Sequence, residues 1–301
     1  MYQNPYEELD WEKSHWLRGN FHTHCGARPG DNCGKLPLDD VAACYKDCGY
    51  DFLAITNHDA LTILPKAEPH LPLLLEGYEY SFDGHMLCIG SKSLSKDAHE
   101  QAASLCCQEG GVVIACHPHW KREDYWTAEK ILSYGDITGM EVYNGVISRL
   151  SGRGLASDTW DEVLSSGRLI WGLANDDFHR WYDLARCWNM VFSAPNQCAI
   201  IEAVKKGRFY ASTGLYLTEL KITEGQMLSL SAVHHNGFEE EMRYEFIGSG
   251  SRILSVKYGT SASLLLDFEE PYVRVCITAQ NGAKLWTQPV YRSEFFERNQ
   301  L

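Results

Sequence analysis

The residues of this chain best suited to chemistry are histidines and acids that stand at or just past the ends of short apolar runs. His22, His24, His58, His117 and His179 all have this placing. His22-Thr23-His24 follows the run 17–21, and residues two apart in extended backbone share a face, so both imidazoles can reach one cation. Asn57-His58-Asp59 ends the run 51–56, with groups on either side able to orient the imidazole. His117-Pro118-His119 follows 112–116, and the proline fixes the backbone directly after the first imidazole. Asn175-Asp176-Asp177-Phe178-His179 ends 169–174, with Asp177 and His179 on one face and Asp176 on the other. Glu76 and Glu79 differ by an odd number of residues, so only one of them can point into a shared site. His85 opens its apolar run, as an antiparallel or crossing segment would place it. His119 either supports these residues or is an ordinary loop histidine.

Each of these residues alone is explained by a hydrogen-bonded side chain at a loop start. Their joint placing needs a common cause, which a cation supplies. Mixed nitrogen and oxygen donors without thiolates suit Zn, Mn or Fe and are too nitrogen-rich for Mg or Ca alone.

The elements that must position them alternate between strand-like and helix-like periods from residue 17 to about 212, the pattern of a mostly parallel sheet wound with helices. Strands are expected at 17–21, 51–56, 73–80, 85–90, 111–116, 139–143 and 169–174. The clearest helix begins after Leu36-Pro37, has Asp39 and Asp40 in its first turn, buries Val41, Cys44, Tyr45 and Cys48, and stops at Gly49. Others are expected over 98–109, from 157 to Gly167, and over 196–206. Strand ends that converge on one face would bring distant residues together. Past Gly214 helical periods vanish, and alternating segments with Asn236-Gly237 and Asn281-Gly282 turns predict antiparallel strands. The expected organisation is therefore an α/β domain over 1–214 and a small β-sandwich-like domain over 215–301.

At 301 residues and 45% hydrophobic the chain can bury a large core without staples. Its 11 cysteines, an odd number without regular spacing, fit reduced thiols in a cytoplasmic protein. No signal peptide or membrane span is read from the apolar runs. A net charge of −13 disfavours binding to nucleic acid or anionic lipid, so an anionic substrate must meet local positive charge.

Together, FHTHC at His22 and His24, GYDFLAITNHD at His58, GYEYS at Glu79, GHMLCIG at His85, VVIACHPH at His117, GMEVYNG at Glu141 and ANDDFH at Asp177 and His179 resemble the PHP (polymerase and histidinol phosphatase) superfamily of metal-dependent phosphoesterases. The resemblance spans 17 to about 214. It implies a distorted (β/α)7 TIM-like barrel, with Glu79 bridging two ions, His22, His24 and Asp177 holding one of them, His85 and His117 its neighbour, and His58 and His179 a third. The family's aspartate after the His-x-His pair is displaced here: Asp31 follows an apparent insertion around Pro29-Gly30, and Cys33 stands just before the Gly-Lys-Leu that usually follows that aspartate. Either could be the ninth ligand. The segment GRFYASTG, followed by a β-rich tail, resembles a subgroup with an appended β-domain.

The chemistry expected is hydrolysis of a small phosphorylated substrate at two or three divalent ions, a hydroxide formed on them attacking phosphorus. His119 is a candidate proton donor, and Lys35, Arg153 and Arg180 are candidates for touching substrate. Hydrolysis of a cyclic phosphate or diester is the alternative, and a non-catalytic, metal-stabilised interaction module a further one. A nuclease role ranks lower, because no basic groove with interleaved aromatics is visible.

Overall fold

In the computed structural model, residues 2–7, 9, 15–26, 34–82, 84–121, 125–223, 226–266 and 269–297 are described. After a short strand β1 (Tyr2–Gln3), the expected apolar runs form β2 (Trp16–Asn20), β3 (Phe52–Ile55), β4 (Leu73–Tyr80), β5 (Met86–Ile89), β6 (Val112–Ala115), β7 (Ile137–Asn144) and β8 (Trp171–Asn175). Between them lie α1 (Leu38–Asp47), α2 (His99–Gln108), α3 (Ala128–Ser133) and α4 (Ser157–Ser165). Helix α1 keeps Asp39 and Asp40 in its first turn, where the helix dipole favours them. It buries Val41, Ala42 and Tyr45, while Cys44 and Cys48 are only half-buried. Gly49 takes the left-handed φ of +79° that reverses the chain after the helix.

From β2 to β8 the pairing is parallel except on either side of β5. β2–β3–β4 and β6–β7–β8 are parallel and joined by long crossovers. The connection 81–85 is too short to carry the chain back along the sheet, so β4–β5 is antiparallel, and β5–β6 is antiparallel as well. This reversal puts His85, which precedes β5, at the same end as the residues that follow β2, β3, β6 and β8.

Beyond β8 come β9 (Trp188–Phe192), α5 (Gln197–Lys205), with the Asn196 side chain accepting from Ala199 N at 2.9 Å, and β10 (Phe209–Ser212). β9 pairs antiparallel with both β2 and β10. The chain continues as β11 (Leu215–Ile222), β12 (Met227–His234), β13 (Met242–Gly248), β14 (Arg252–Gly259), β15 (Ser261–Leu265), β16 (Tyr272–Thr278), β17 (Lys284–Thr287), β18 (Val290–Arg292) and α6 (Ser293–Glu297).

The expected (β/α)7 barrel is not what these strands build. They form one mixed sheet of 15 strands, in the order β1-β18-β16-β17-β10-β9-β2-β3-β4-β5-β6-β7-β8, with β13 and β14 branching from β16. A separate sheet holds β11-β12-β15. Helices are few and short, several neighbouring strands are antiparallel, and among the described residues no ladder closes the sheet on itself. The C-terminal strands continue the same sheet, since β10 pairs with β17.

The outer edge of β8 is met by side-chain amides instead of a strand. Gln288 accepts from Gly172 N at 2.9 Å and donates to Gly172 O at 2.8 Å. Asn189 does the same at Ala174, at 3.0 and 2.8 Å. Two amides thus satisfy backbone groups that an uncovered edge would leave open.

One face of the sheet is filled by Phe21, Phe52, Leu75, Leu87, Ile114, Leu173 and Val191, packed against Ile200 and Val204 of α5. Gly19 is required there: a Cβ would meet the Phe52 ring at 2.2 Å. The ten cysteines among the described residues are free thiols. No helix among the described residues is long and apolar enough to cross a membrane.

Candidate metal centre

Three of the turns that deliver side chains to one end of the sheet carry non-glycine residues in left-handed backbone: Asp59 (φ 48°), His117 (φ 31°) and Asp177 (φ 54°). Such conformations persist only where the surroundings enforce them. Asp59 is held by Ser81, whose N–H donates to Oδ1 at 3.0 Å and whose hydroxyl donates to Oδ2. His117 N donates to Glu141 Oε2 at 2.7 Å. Asp177 is fixed through its neighbour Phe178, whose N–H donates to His22 O at 3.4 Å and whose carbonyl accepts from His24 N at 2.9 Å.

Glu79, fully buried at the next-to-last position of strand β4, is the hub. Its Oε2 faces His22 Nε2 and His24 Nε2, both at 3.2 Å, and His58 Nδ1 at 2.8 Å. Its Oε1 faces His85 Nδ1 at 2.7 Å and His117 Nε2 at 3.2 Å. Asp177 Oδ1 lies 3.3 Å from His22 Nε2, 3.2 Å from His24 Nε2 and 3.3 Å from His179 Nδ1. Glu76, on the opposite face of β4, is exposed. These side chains include four groups able to hold a metal ion: His22-His24-Asp177, His24-His58-His179, His58-Glu79-His85 and His22-Glu79-Cys116, the ligand atoms of each lying within 4.8 Å of one another.

His22 shows why a cation fits. Its Nδ1 lies 2.8 Å from Glu141 Oε1, a carboxylate that can only accept, so Nδ1 carries the proton. In a neutral ring Nε2 is then a lone pair, yet it faces two more acceptors, Glu79 Oε2 and Asp177 Oδ1. All three atoms are buried, and none makes a hydrogen bond among the described residues. Acceptors facing acceptors in a dry interior require positive charge between them or on the ring. The four separations of 3.2–3.3 Å between the two Nε2 atoms and these oxygens resemble the edge of a ligand tetrahedron. That edge is about 3.4 Å for metal–ligand bonds of about 2.1 Å.

Without an ion, the ring itself takes the charge. Burial alone would depress the His22 pKa, but Asp177, Glu79 and Glu141 outweigh it and hold it well above the usual imidazole range. Burial likewise works against ionised Glu79 and Asp177, and the surrounding imidazoles, His58 and His22 foremost for Glu79 and His22 for Asp177, hold both carboxyls well below their ordinary values. Burial, then Glu79, Glu141 and Asp177, pushes the Cys116 thiol up, so it stays protonated and its sulfur contacts Ile114 O at 3.7 Å.

The cluster is closed beneath and open on one side. His22 and His24 side chains are 0% exposed and Glu79 1%, whereas His58, His85 and His179 are 29%, 13% and 24% exposed. Trp120 and Tyr125 wall the His85–His117 side, the Trp120 ring lying 5.1 and 5.0 Å from the two imidazoles.

The structure brings His22, His24, His58, Glu79, His85, His117, Asp177 and His179 together. It leaves His119 apart: that ring is buried, 3.0 Å from Thr159 Oγ1 and 3.5 Å from Asp158 Oδ1. Arg153 is committed to Asp158 at 2.7 Å. Lys35 and Arg180 are exposed, and Arg180 donates to Tyr182 OH at 3.1 Å. Asp31 and Cys33 lie outside the described residues. The flanking Asn57 and Asp59 tie down loops instead of orienting His58: Asn57 accepts from Cys25 N at 2.9 Å and donates to Thr62 Oγ1 at 2.9 Å.

Sequence reasoning assigned no role to Glu141, which accepts from His22, His117 N, Asn144 Nδ2 at 2.7 Å and Asn175 Nδ2 at 3.0 Å. It also placed Asp176 only as pointing elsewhere. Asp176 accepts from Tyr45 OH and the N–H groups of Ala185, Arg186 and Cys187. Burial pushes its carboxyl up to about 6 against those donors. The usable signal for Glu141 was an acid inside the apolar run 139–143.

No family model matches this chain. No curated protein matches it either. A crystal structure of PsfC from Pseudomonas syringae PB-5123 is similar at 14% identity and a TM-score of 0.44, over 62% of this chain and 86% of PsfC.

Proposed function

We propose that this chain is a metal-dependent hydrolase of phosphate esters, acting on a small phosphorylated metabolite with two or three divalent ions of the Zn, Mn or Fe class. The observation that carries the reading is Glu79, whose two oxygens each face a different set of imidazoles, with Asp177 completing one set. In this reading His22, His24 and Asp177 would hold one ion, His85 and His117 a second, and His58 and His179 a third, with Glu79 shared between the first two. Bound ions supply an activated water and neutralise phosphoryl oxygens.

The rest is done by the chain. Glu141 fixes the His22 proton on Nδ1 and so keeps Nε2 turned inward. Glu79 and Asp177 supply the charge that retains cations, and the exposed rims of His58 and His179 leave a way in for substrate and water. That opening favours catalysis over a purely structural centre, which would be closed.

The test uses purified full-length protein, stripped with chelator and reloaded separately with Zn, Mn and Fe. Phosphate release from nitrophenyl phosphate, and nitrophenol release from the diester bis(nitrophenyl) phosphate, should vanish on stripping and return with metal. The ratio of the two activities ranks monoester against diester. His22→Ala should lose metal and turnover with an unchanged circular dichroism spectrum. Turnover that survives stripping or His22→Ala defeats the proposal.

A further inference from the structure

The turn that carries His179 also carries two arginines whose surroundings differ from those of most arginines here. Arg149, Arg153, Arg243, Arg252, Arg274 and Arg292 each hold an acid, while the guanidinium groups of Arg18 and Arg168 donate to backbone carbonyls. Arg180 and Arg186 are exposed, and among the described residues neither makes an ion pair with a carboxylate. On a chain with 40 acids against 27 Lys and Arg, acids to pair with are plentiful.

Their backbones, in contrast, are tightly fastened. Arg180 N donates at 3.0 Å to Asp183 Oδ2, which also accepts from His179 N at 3.2 Å. The same carboxylate receives Arg149 at 2.7 and 2.9 Å, and this joins the turn after β8 to the turn after β7. Arg186 N donates at 2.8 Å to Asp176 Oδ1, next in sequence to the candidate ligand Asp177. Each guanidinium then leans on Tyr182, Arg180 through the hydroxyl at 3.1 Å and Arg186 through the carbonyl at 2.7 Å. Two buried aspartates thus hold the chain of a loop whose cationic side chains have no acid of their own. Guanidinium groups fixed in this way are prepared for phosphate or carboxylate oxygens.

We propose that Arg180 and Arg186 form a subsite for a second anionic group of the substrate, beside the metal centre. The preferred phosphate ester therefore carries a further carboxylate or phosphate. This rests on the phosphoesterase reading above and narrows its substrate class.

The test compares esters that share a scissile group but differ in the second charge, on metal-loaded full-length protein. Glycerol 3-phosphate is set against 3-phosphoglycerate, and fructose 6-phosphate against fructose 1,6-bisphosphate for longer reach. In at least one pair the second member should have kcat/KM higher by about tenfold, the scale of one charge-assisted contact. In the double variant R180Q/R186Q that ratio should fall to near one, with the melting temperature checked because both side chains are exposed. A ratio near one in the parent protein, a ratio unchanged in the variant, or equal losses for both members overturns the subsite. If no ester turns over, the phosphoesterase reading fails, and calorimetric binding of the same pairs decides the subsite: preferential binding of the second member, lost in R180Q/R186Q, supports it, and equal binding overturns it.

Discussion

Glu141 shows how much of the candidate site depends on a side chain that faces histidine and amide donors. All its partners are donors: the His22 ring, His117 N–H and the amides of Asn144 and Asn175. Glu141→Gln keeps the volume but turns an amino group toward at least one of them. Metal affinity should fall about 10- to 100-fold, as for other partners of ligating histidines, with little change in fold; competition with a chelating dye measures it. The charges set a pH signature as well. In the metal-free protein the raised His22 pKa contributes stability below about 6.5, lost as pH rises through its folded value, while depressed Glu79 and Asp177 contribute above about 4, lost as pH falls. Stability of the stripped protein should therefore peak between those values. Metal must displace the His22 proton, so binding should tighten as pH rises and release protons, read by calorimetry in buffers of different ionisation enthalpy. The pair His22 and His24, the parity that set Glu79 against Glu76, and the shared face of Asp177 and His179 were all legible from alternation alone. Glu141 was not, because the apolar run around it marks a buried acid, while alternation does not say which partners that acid meets.

At the scale of elements, what was legible was local. The Pro37 start and Gly49 stop of α1 and the spans of α4 and α5 depend on neighbours within a few residues, and all three helices form close to their expected bounds. Strand pairing depends on residues far away. β9 and β10 were not anticipated, and they insert antiparallel beside β2, where a barrel would need a parallel closure with β8. The closure is replaced by the amides of Asn189 and Gln288, contacts with no sequence signature. Gln288→Leu should leave Gly172 N–H and C=O without partners, at a cost of about 1–3 kcal/mol each. Urea denaturation measures the loss, and faster hydrogen exchange at the Gly172 amide locates it.

For the whole molecule, the strands past Gly214 are tied to those before it. β17 pairs with β10, Tyr6 OH donates to Phe209 O at 2.7 Å and accepts from Gln288 N at 2.8 Å, and Arg274 meets Asp161 at 2.7 and 2.6 Å in a buried pair. A chain ending at 214 would lose this pair and uncover core residues such as Tyr210, Ala211 and Trp160, which pack with residues of the C-terminal strands. Such a truncation should lack cooperative thermal unfolding by calorimetry. β9 covers one side of β2 and Gln288 covers the edge of β8, so the strands that lead to His22 and Asp177 take their last backbone partners from segments far along the chain. A cation offered to the unfolded polypeptide meets the adjacent His22 and His24 first and can trap them before their distant companions arrive. Refolding in chelator, with metal added afterwards, should thus recover more intact centres than refolding in metal throughout.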